Sequence, residues 1–310
     1  FIGQGEFSNL AIPLGFVIFP VICSILDFSP HYNEIKKIYT KVFFIVASII
    51  IVSWVLLMGY EGYFYNLELS NYFTDIKASA HLVMDWLYYP HTTFLSFFIL
   101  IGGIFCMDLF RRQKITKMYI LAYVGFSIVA LLILGSRIAC VLALLIPLLY
   151  IIPVHHLKRI IVPLWAALFT GIVYFIDKLD LLRAELWQLS FTEIMKKPWF
   201  GHGTGNSDLV LPHQLVIDKN GAEAIIGINH SHNQFLTTLL ENGVSGTLLF
   251  SALMVFIFYC FAKQNDKTMM LVTFAILLLM VVESPFATAT PLYLFSFLLC
   301  CFMGFLKKEA

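Results

Sequence analysis

Residues 117–153 read KMYILAYVGFSIVALLILGSRIACVLALLIPLLYIIP, and this stretch decides the class of the fold. Two apolar runs are joined by Gly135-Ser136-Arg137, and Arg137 is the one charge between Lys117 and Pro153. A helix crosses the hydrocarbon core with about 20 apolar residues, in a range of about 17–25. An arginine at mid-bilayer costs about 2.5–3.5 kcal/mol on insertion scales. A turn that brings the guanidinium to the surface removes that cost. The stretch is therefore two membrane spans and a tight hairpin.

The pattern extends in both directions. Nine spans are predicted near 10–27, 41–60, 93–110, 117–135, 138–153, 159–176, 243–262, 268–283 and 288–306. Of the 310 residues, 60% are hydrophobic and 13% charged, against about 45–50% and about 25% in a soluble domain. So few charges cannot cover so much apolar side chain in water. The predicted fold class is all-α, a polytopic transmembrane helical bundle forming a single membrane domain over 1–310. A secreted disulfide scaffold, a nucleic-acid binder and a disordered tail are excluded, and a net charge of +1 gives no basic excess to attract polyanions. The six cysteines all lie in apolar runs without metal-ligand spacing and read as small buried hydrophobes. Residue 1 is Phe and no signal peptide is visible, so the chain reads as a fragment or a trimmed chain.

Lys and Arg set the orientation. Lys36, Lys37 and Lys41 follow span one; Arg111, Arg112, Lys114 and Lys117 follow span three; Lys158 and Arg159 follow span five. Lys263 and Lys267 follow span seven, and Lys307 and Lys308 close the chain. The alternate short connections carry only Lys77 and Arg137. The N-terminus is thus expected outside, the C-terminus in the cytoplasm, and the long connection 177–242 outside. Residues 61–92 are rich in Tyr and Trp, as suits a loop at the headgroups. Within the long loop, Leu182 to Lys197 reads as an amphipathic helix in which Leu186, Trp187, Phe191, Ile194 and Met195 share an apolar face.

The spans carry few ionisable residues: Asp27 and Asp108 at cytoplasmic ends and Glu283 at an outer end. Ion-coupled transporters place carboxylates or broken helices near the midplane, so this pattern counts against transport. Polar residues gather instead in the long loop. Gly201, Gly203 and Gly205 there permit either an anion-binding run of amides or a plain flexible turn. His230 and His232 stand two apart near Asn206, Asn229 and Asn233. His202, His213 and Asp208 could complete a metal set, but no ligand spacing is present and no metal is predicted. An imidazole titrates near neutrality and suits a general base; the alternative is a histidine capping the helix that follows.

Four elements together resemble the O-antigen ligase and polymerase superfamily of bacterial envelope glycan enzymes. They are Ser136-Arg137 at an outer hairpin, Arg183 with Trp187 opening the long loop, and Lys197-Pro198-Trp199-Phe200-Gly201-His202-Gly203, similar to the family's Pro-x-x-Gly-x-Gly. The fourth and most specific is His232-Asn233, nine residues, Gly243, two residues, Gly246. The family's ligases have twelve spans with the large outer loop after the ninth. Three missing N-terminal spans would reconcile this chain with that plan.

The resemblance implies a multi-pass protein of the cell inner (cytoplasmic) membrane whose active site faces the periplasm. It implies lipopolysaccharide biosynthesis by an inverting, metal-independent glycosyltransferase without a cofactor. Such an enzyme moves a glycan from an undecaprenyl-diphosphate-linked donor to lipid A core or another glycan or hydroxyl acceptor, among membrane lipids and without nucleic acid. His232 is then the catalytic base. Arg137 and Arg183 bind the diphosphate, since a guanidinium stays charged and grips phosphate with two donors. Asn233, His230, His202 and Glu283 are further substrate-binding candidates, with Lys197 and His91 behind them. The spacing favours a ligase over a polymerase or a protein O-oligosaccharyltransferase. A membrane transporter or a non-catalytic envelope protein is the alternative from another class.

Overall fold

A computed structural model describes residues 18, 21–23, 25–26, 28–65, 91–179, 181–211, 214–217, 223–226, 231–287 and 289–303. The long helices are α1 (Tyr32–Tyr65), α2 (Thr92–Arg111), α3 (Lys117–Leu134), α4 (Arg137–Ile151) and α5 (Val154–Leu179). After them come α6 (Leu181–Ile194), the single turn α7 (Ser207–Val210), α8 (Gln234–Lys263), α9 (Lys267–Val282) and α10 (Ala289–Met303). The bundle is helical and polytopic, as its composition requires. Eight of the nine predicted spans coincide with helices; the first, 10–27, falls largely outside the described residues. The predicted headgroup loop 61–92 also lies mostly outside them. Among the described residues, α1, α2, α3, α5 and α8 are long and apolar enough to cross a membrane, and α4, α9 and α10 are shorter apolar helices. The protein is a multi-pass membrane protein.

Two compact units divide the chain. One comprises residues 28–157 with 266–275, the other 1–27, 158–265 and 276–310. In the first, α1 is apolar on both faces. Tyr39, Phe43, Ala47 and Ile50 are buried, while Ile38, Val42, Ile45, Ile49 and Val52 are exposed. Only a hydrocarbon solvent makes that second face favourable. α2 is buried along most of its length. The hydroxyl of Tyr123 on α3 occupies the space that a Cβ at Gly102 would need, 2.1 Å away, and donates to the Ile99 carbonyl at 2.8 Å. Thus Gly102 is what lets α2 and α3 approach there. Near one end, Lys36 donates to Asp108 at 2.7 Å with both side chains buried, and Arg112 reaches the same carboxylate at 3.1 Å. The predicted hairpin is present: α3 ends on Gly135 at φ 65°, whose amide caps Leu131 and Leu132, and α4 begins at Arg137.

In the second unit α6 packs across the start of α8. Leu186, Trp187, Ile194, Leu211, Leu236 and Leu240 form the shared core. The amphipathic helix is therefore present, but its buried face is narrower than expected. Phe191 and Met195 are exposed, as are Trp199 and Phe200 just beyond it. Residues Gln214–Ile217 (β1) and Glu223–Ile226 (β2) pair as an antiparallel hairpin, with Gln214 opposite Ile226 and Ile217 opposite Glu223. This small sheet within the long loop was not foreseen.

Candidate functional site

The seventh predicted span, 243–262, belongs to a helix that starts nine residues earlier, at Gln234. Asn233 opens it. Its side-chain oxygen accepts from the amides of Phe235 and Leu236 at 3.0 and 3.1 Å, satisfying two of the donors that a helix start leaves unpaired. The capping role thus falls to Asn233, one residue after the histidine for which capping was the alternative. His232 itself has φ 50°. This left-handed conformation is uncommon outside glycine, although His adopts it more readily than most residues.

The turn that carries His232 is held from three sides. Trp187 of α6 donates its indole N–H to the Ser231 carbonyl at 3.1 Å. Ser231 Oγ donates to the Asn233 carbonyl and meets Thr237 Oγ1, both at 2.9 Å, and Thr237 meets Ser284 Oγ at 2.9 Å. The segment after α9 closes the frame. The Gln234 amide donates to the Glu283 carbonyl at 3.1 Å, and the Phe286 amide donates to Gln234 Oε1 at 2.8 Å. These positioning contacts were not read from the sequence. The Glu283-Ser284-Pro285 triplet, following a helix whose only charge is Lys267 at its first residue, was the available signal.

Glu283 is the hub. Its side chain is 1% exposed, and its two oxygens hold different partners: Oε1 accepts from Arg183 Nη2 at 2.6 Å, and Oε2 meets His232 Nδ1 at 3.0 Å. A buried carboxylate must be paired or it takes up a proton. The Arg183 guanidinium supplies that pairing. An ionised carboxylate only accepts, so His232 Nδ1 carries the hydrogen that Glu283 receives. Arg183 and His232 remain 22% and 32% exposed, so the buried anion presents both groups at a partly open surface.

The glycine-rich segment has a different part. The amides of Gly201, His202 and Gly203 donate to the carbonyls of Lys197, Leu240 and Glu241, at 3.0, 2.9 and 2.8 Å. In return the amides of Val244 and Ser245 donate to Pro198 and Trp199. The chain at 198–203 thus interlocks with the kink in α8, where Gly243 has φ 64° and ψ −168°. A Cβ on Gly201 would lie 2.4 Å from the Glu241 carbonyl, and one on Gly243 would lie 2.3 Å from the Trp199 carbonyl carbon. These glycines permit two backbones to touch. The amides of Gly201, His202 and Gly203 are thus engaged within the fold and do not form a free anion-binding run.

Of the remaining candidates, His202 Nε2 donates to the Glu193 carbonyl at 2.9 Å and ties the glycine segment to the end of α6. Lys197 is exposed. Arg137 belongs to the other compact unit, exposed at the first residue of α4, and His91 in that unit stacks on Phe94 with ring centroids 4.2 Å apart. His230 and His213 lie outside the described residues. Within the unit of residues 158–265 and 276–310, the structure brings together Arg183, His232 and Glu283, with Asn233 capping the helix that follows.

No curated protein matches the chain. A family model described as O-antigen ligase (Wzy_C) matches residues 91–251. That range covers just over half of the chain and includes both Gly-bearing motifs, Arg183 and His232. The chain belongs to the O-antigen ligase family of membrane glycosyltransferase-type enzymes.

Proposed function

We propose that this protein transfers a glycan from an undecaprenyl-diphosphate carrier to an acceptor hydroxyl at the outer face of the cytoplasmic membrane, most specifically to lipid A core. The observation that carries the reading is the single buried carboxylate of Glu283 bridging Arg183 and His232. The donor sugar is already activated, because diphosphate is a good leaving group. The protein must position it, offset the charge released and remove the acceptor proton. His232 Nε2 takes the proton from the acceptor hydroxyl. The oxygen then attacks the anomeric carbon as the carbon–oxygen bond to diphosphate breaks, which inverts the centre. Glu283 holds the imidazole in the tautomer this requires and stabilises the imidazolium that forms, a division of labour known from carboxylate–histidine pairs elsewhere. General-base catalysis of this kind contributes about 10²–10⁴-fold.

Arg183 meets the developing charge on the diphosphate, and Arg137 is the second guanidinium proposed for that task. Asn233 and His202 serve through the backbone, one capping the helix behind His232 and the other anchoring the glycine segment, while His230 is the sugar-contact candidate. The arginines would supply the positive charge that a metal supplies in other glycosyltransferases.

The test is a lipopolysaccharide gel from a deletion strain complemented with the full-length gene. Loss of the ladder to bare core, with accumulated carrier-linked polymer, supports ligation. Core bearing one repeat unit would mean polymerisation instead, and an untouched ladder would defeat both.

A further inference from the structure

We propose that a cavity at the ends of α2, α3, α4 and α9 binds the headgroup of an anionic phospholipid, with Arg111 and Lys267 as its phosphate-binding pair. The cavity lies wholly within the unit of residues 28–157 and 266–275, is lined by none of Arg183, His232 and Glu283, and measures about 560 Å³. Its lining carries two cations, Arg111 and Lys267, and no carboxylate. Nearby acids are already engaged. Asp108 holds Lys36 and Arg112, and Asp266 Oδ1 accepts from the Met269 amide at the start of α9. No carboxylate in the walls faces these two cations, and Arg111 also hydrogen-bonds Tyr150 of the lining.

Lys267 makes the case stronger. It is buried as the first residue of α9, where the helix dipole is also positive, and the carboxylate at that helix start, Asp266, serves the Met269 amide. Its ammonium donates to the carbonyls of Tyr150 and Ile152 and lies 4.9 Å from the centre of the Tyr150 ring. Those contacts fix the group in place but bring no countercharge. The rest of the lining is apolar, including Met107, Phe110, Ile120 and Ile151, of which Phe110 and Ile151 are exposed. A soluble phosphate would use the cations and waste this wall; a lipid uses both, its phosphodiester on the cations and its acyl chain along the apolar side. Basic pockets of this kind between spans bind anionic headgroups on the cytoplasmic side. These helix ends are the ones that the Lys and Arg bias assigns to the cytoplasm.

The experiment is thermal unfolding of the detergent-purified full chain, titrated separately with phosphatidylglycerol, phosphatidylcholine and inorganic phosphate. Phosphatidylglycerol alone is expected to raise the melting temperature saturably. Arg111→Gln should need about five times more of it, the share of one basic group near a membrane surface. Lys267→Met removes the deeper cation but also the bonds to α4, so Arg111→Gln, at an exposed position, is the decisive variant. Equal responses to the two lipids, or an unchanged titration in Arg111→Gln, would overturn the proposal. A shift by inorganic phosphate equal to that by phosphatidylglycerol would overturn the lipid and leave a soluble anion in its place.

Discussion

Replacing Glu283 with Gln changes the shape of the side chain very little and removes its charge. In the native site one oxygen serves Arg183 at 2.6 Å and the other serves His232 Nδ1 at 3.0 Å. An amide has one acceptor and one donor end, so it cannot satisfy both. If its oxygen stays on Arg183, its NH₂ faces His232 and forces Nδ1 to accept, which moves the proton to Nε2 and blocks the base. If its oxygen faces His232, the NH₂ meets the guanidinium and the charge-assisted bond between residues 183 and 283 is lost. Hydrogen bonds to charged groups contribute about 1.5–3 kcal/mol each, and breaking one partner of a buried pair costs about 3–5 kcal/mol. The expected outcome is therefore a loss of stability of about 1.5–5 kcal/mol and a drop in transfer rate of about 10²–10⁴-fold, the range for losing a general base. The assay is glycan transfer in membranes prepared with matched amounts of wild-type and variant protein. A double variant, Glu283→Gln with His232→Ala, should be no slower than His232→Ala alone, because the two groups act as a unit. Near-native transfer by Glu283→Gln at normal abundance would refute the reasoning.

Other outcomes follow from the same geometry. Gly243→Ala would put a methyl group 2.3 Å from the Trp199 carbonyl carbon at a φ of 64°; overpacking alone costs about 1–3 kcal/mol, so melting temperature and membrane abundance should both fall. Gly246→Ala meets the Cβ of Asn242 at 2.3 Å but without the left-handed φ of Gly243, and the smaller shift expected in the same melting assay separates the two glycines. Asp108→Ala removes the carboxylate that buried Lys36 and Arg112 share and should cost about 3–5 kcal/mol, read as a lower unfolding temperature in detergent, whereas Asp108→Asn should lose less. His202→Ala removes one bond to the Glu193 carbonyl and should cost about 0.5–1.5 kcal/mol while leaving far more transfer activity than His232→Ala.

The helical bundle could be read from the chain because solvent dictates it. Long apolar runs admit one backbone solution in a bilayer, and the arginine at 137 cannot sit inside one. Helix ends were harder. The first turns of α8 carry Gln234, Thr237, Thr238 and Glu241 among their apolar residues, so hydropathy placed its start near Gly243, where the helix is kinked. The glycines were visible, but their partners were not: Gly201 touches Glu241, and Gly243 touches Trp199, through contacts about forty residues apart in sequence. No local period encodes such a crossing. Glu283 shows the same limit. It meets His232 across 51 residues and Arg183 across 100, so the sequence could name all three without assigning the carboxylate to both. On α6, a helical period identified Leu186, Trp187 and Ile194 as buried, but it could not tell that α8 covers too narrow a strip to include Phe191 and Met195.

The most direct test of the central claim is the rate of glycan transfer from a lipid-diphosphate donor by His232→Ala, compared with wild type at equal membrane insertion. A fall of about 10²–10⁴-fold with the donor still bound is the predicted result. Transfer at the wild-type rate would contradict the claim that His232, held by Glu283, removes the acceptor proton.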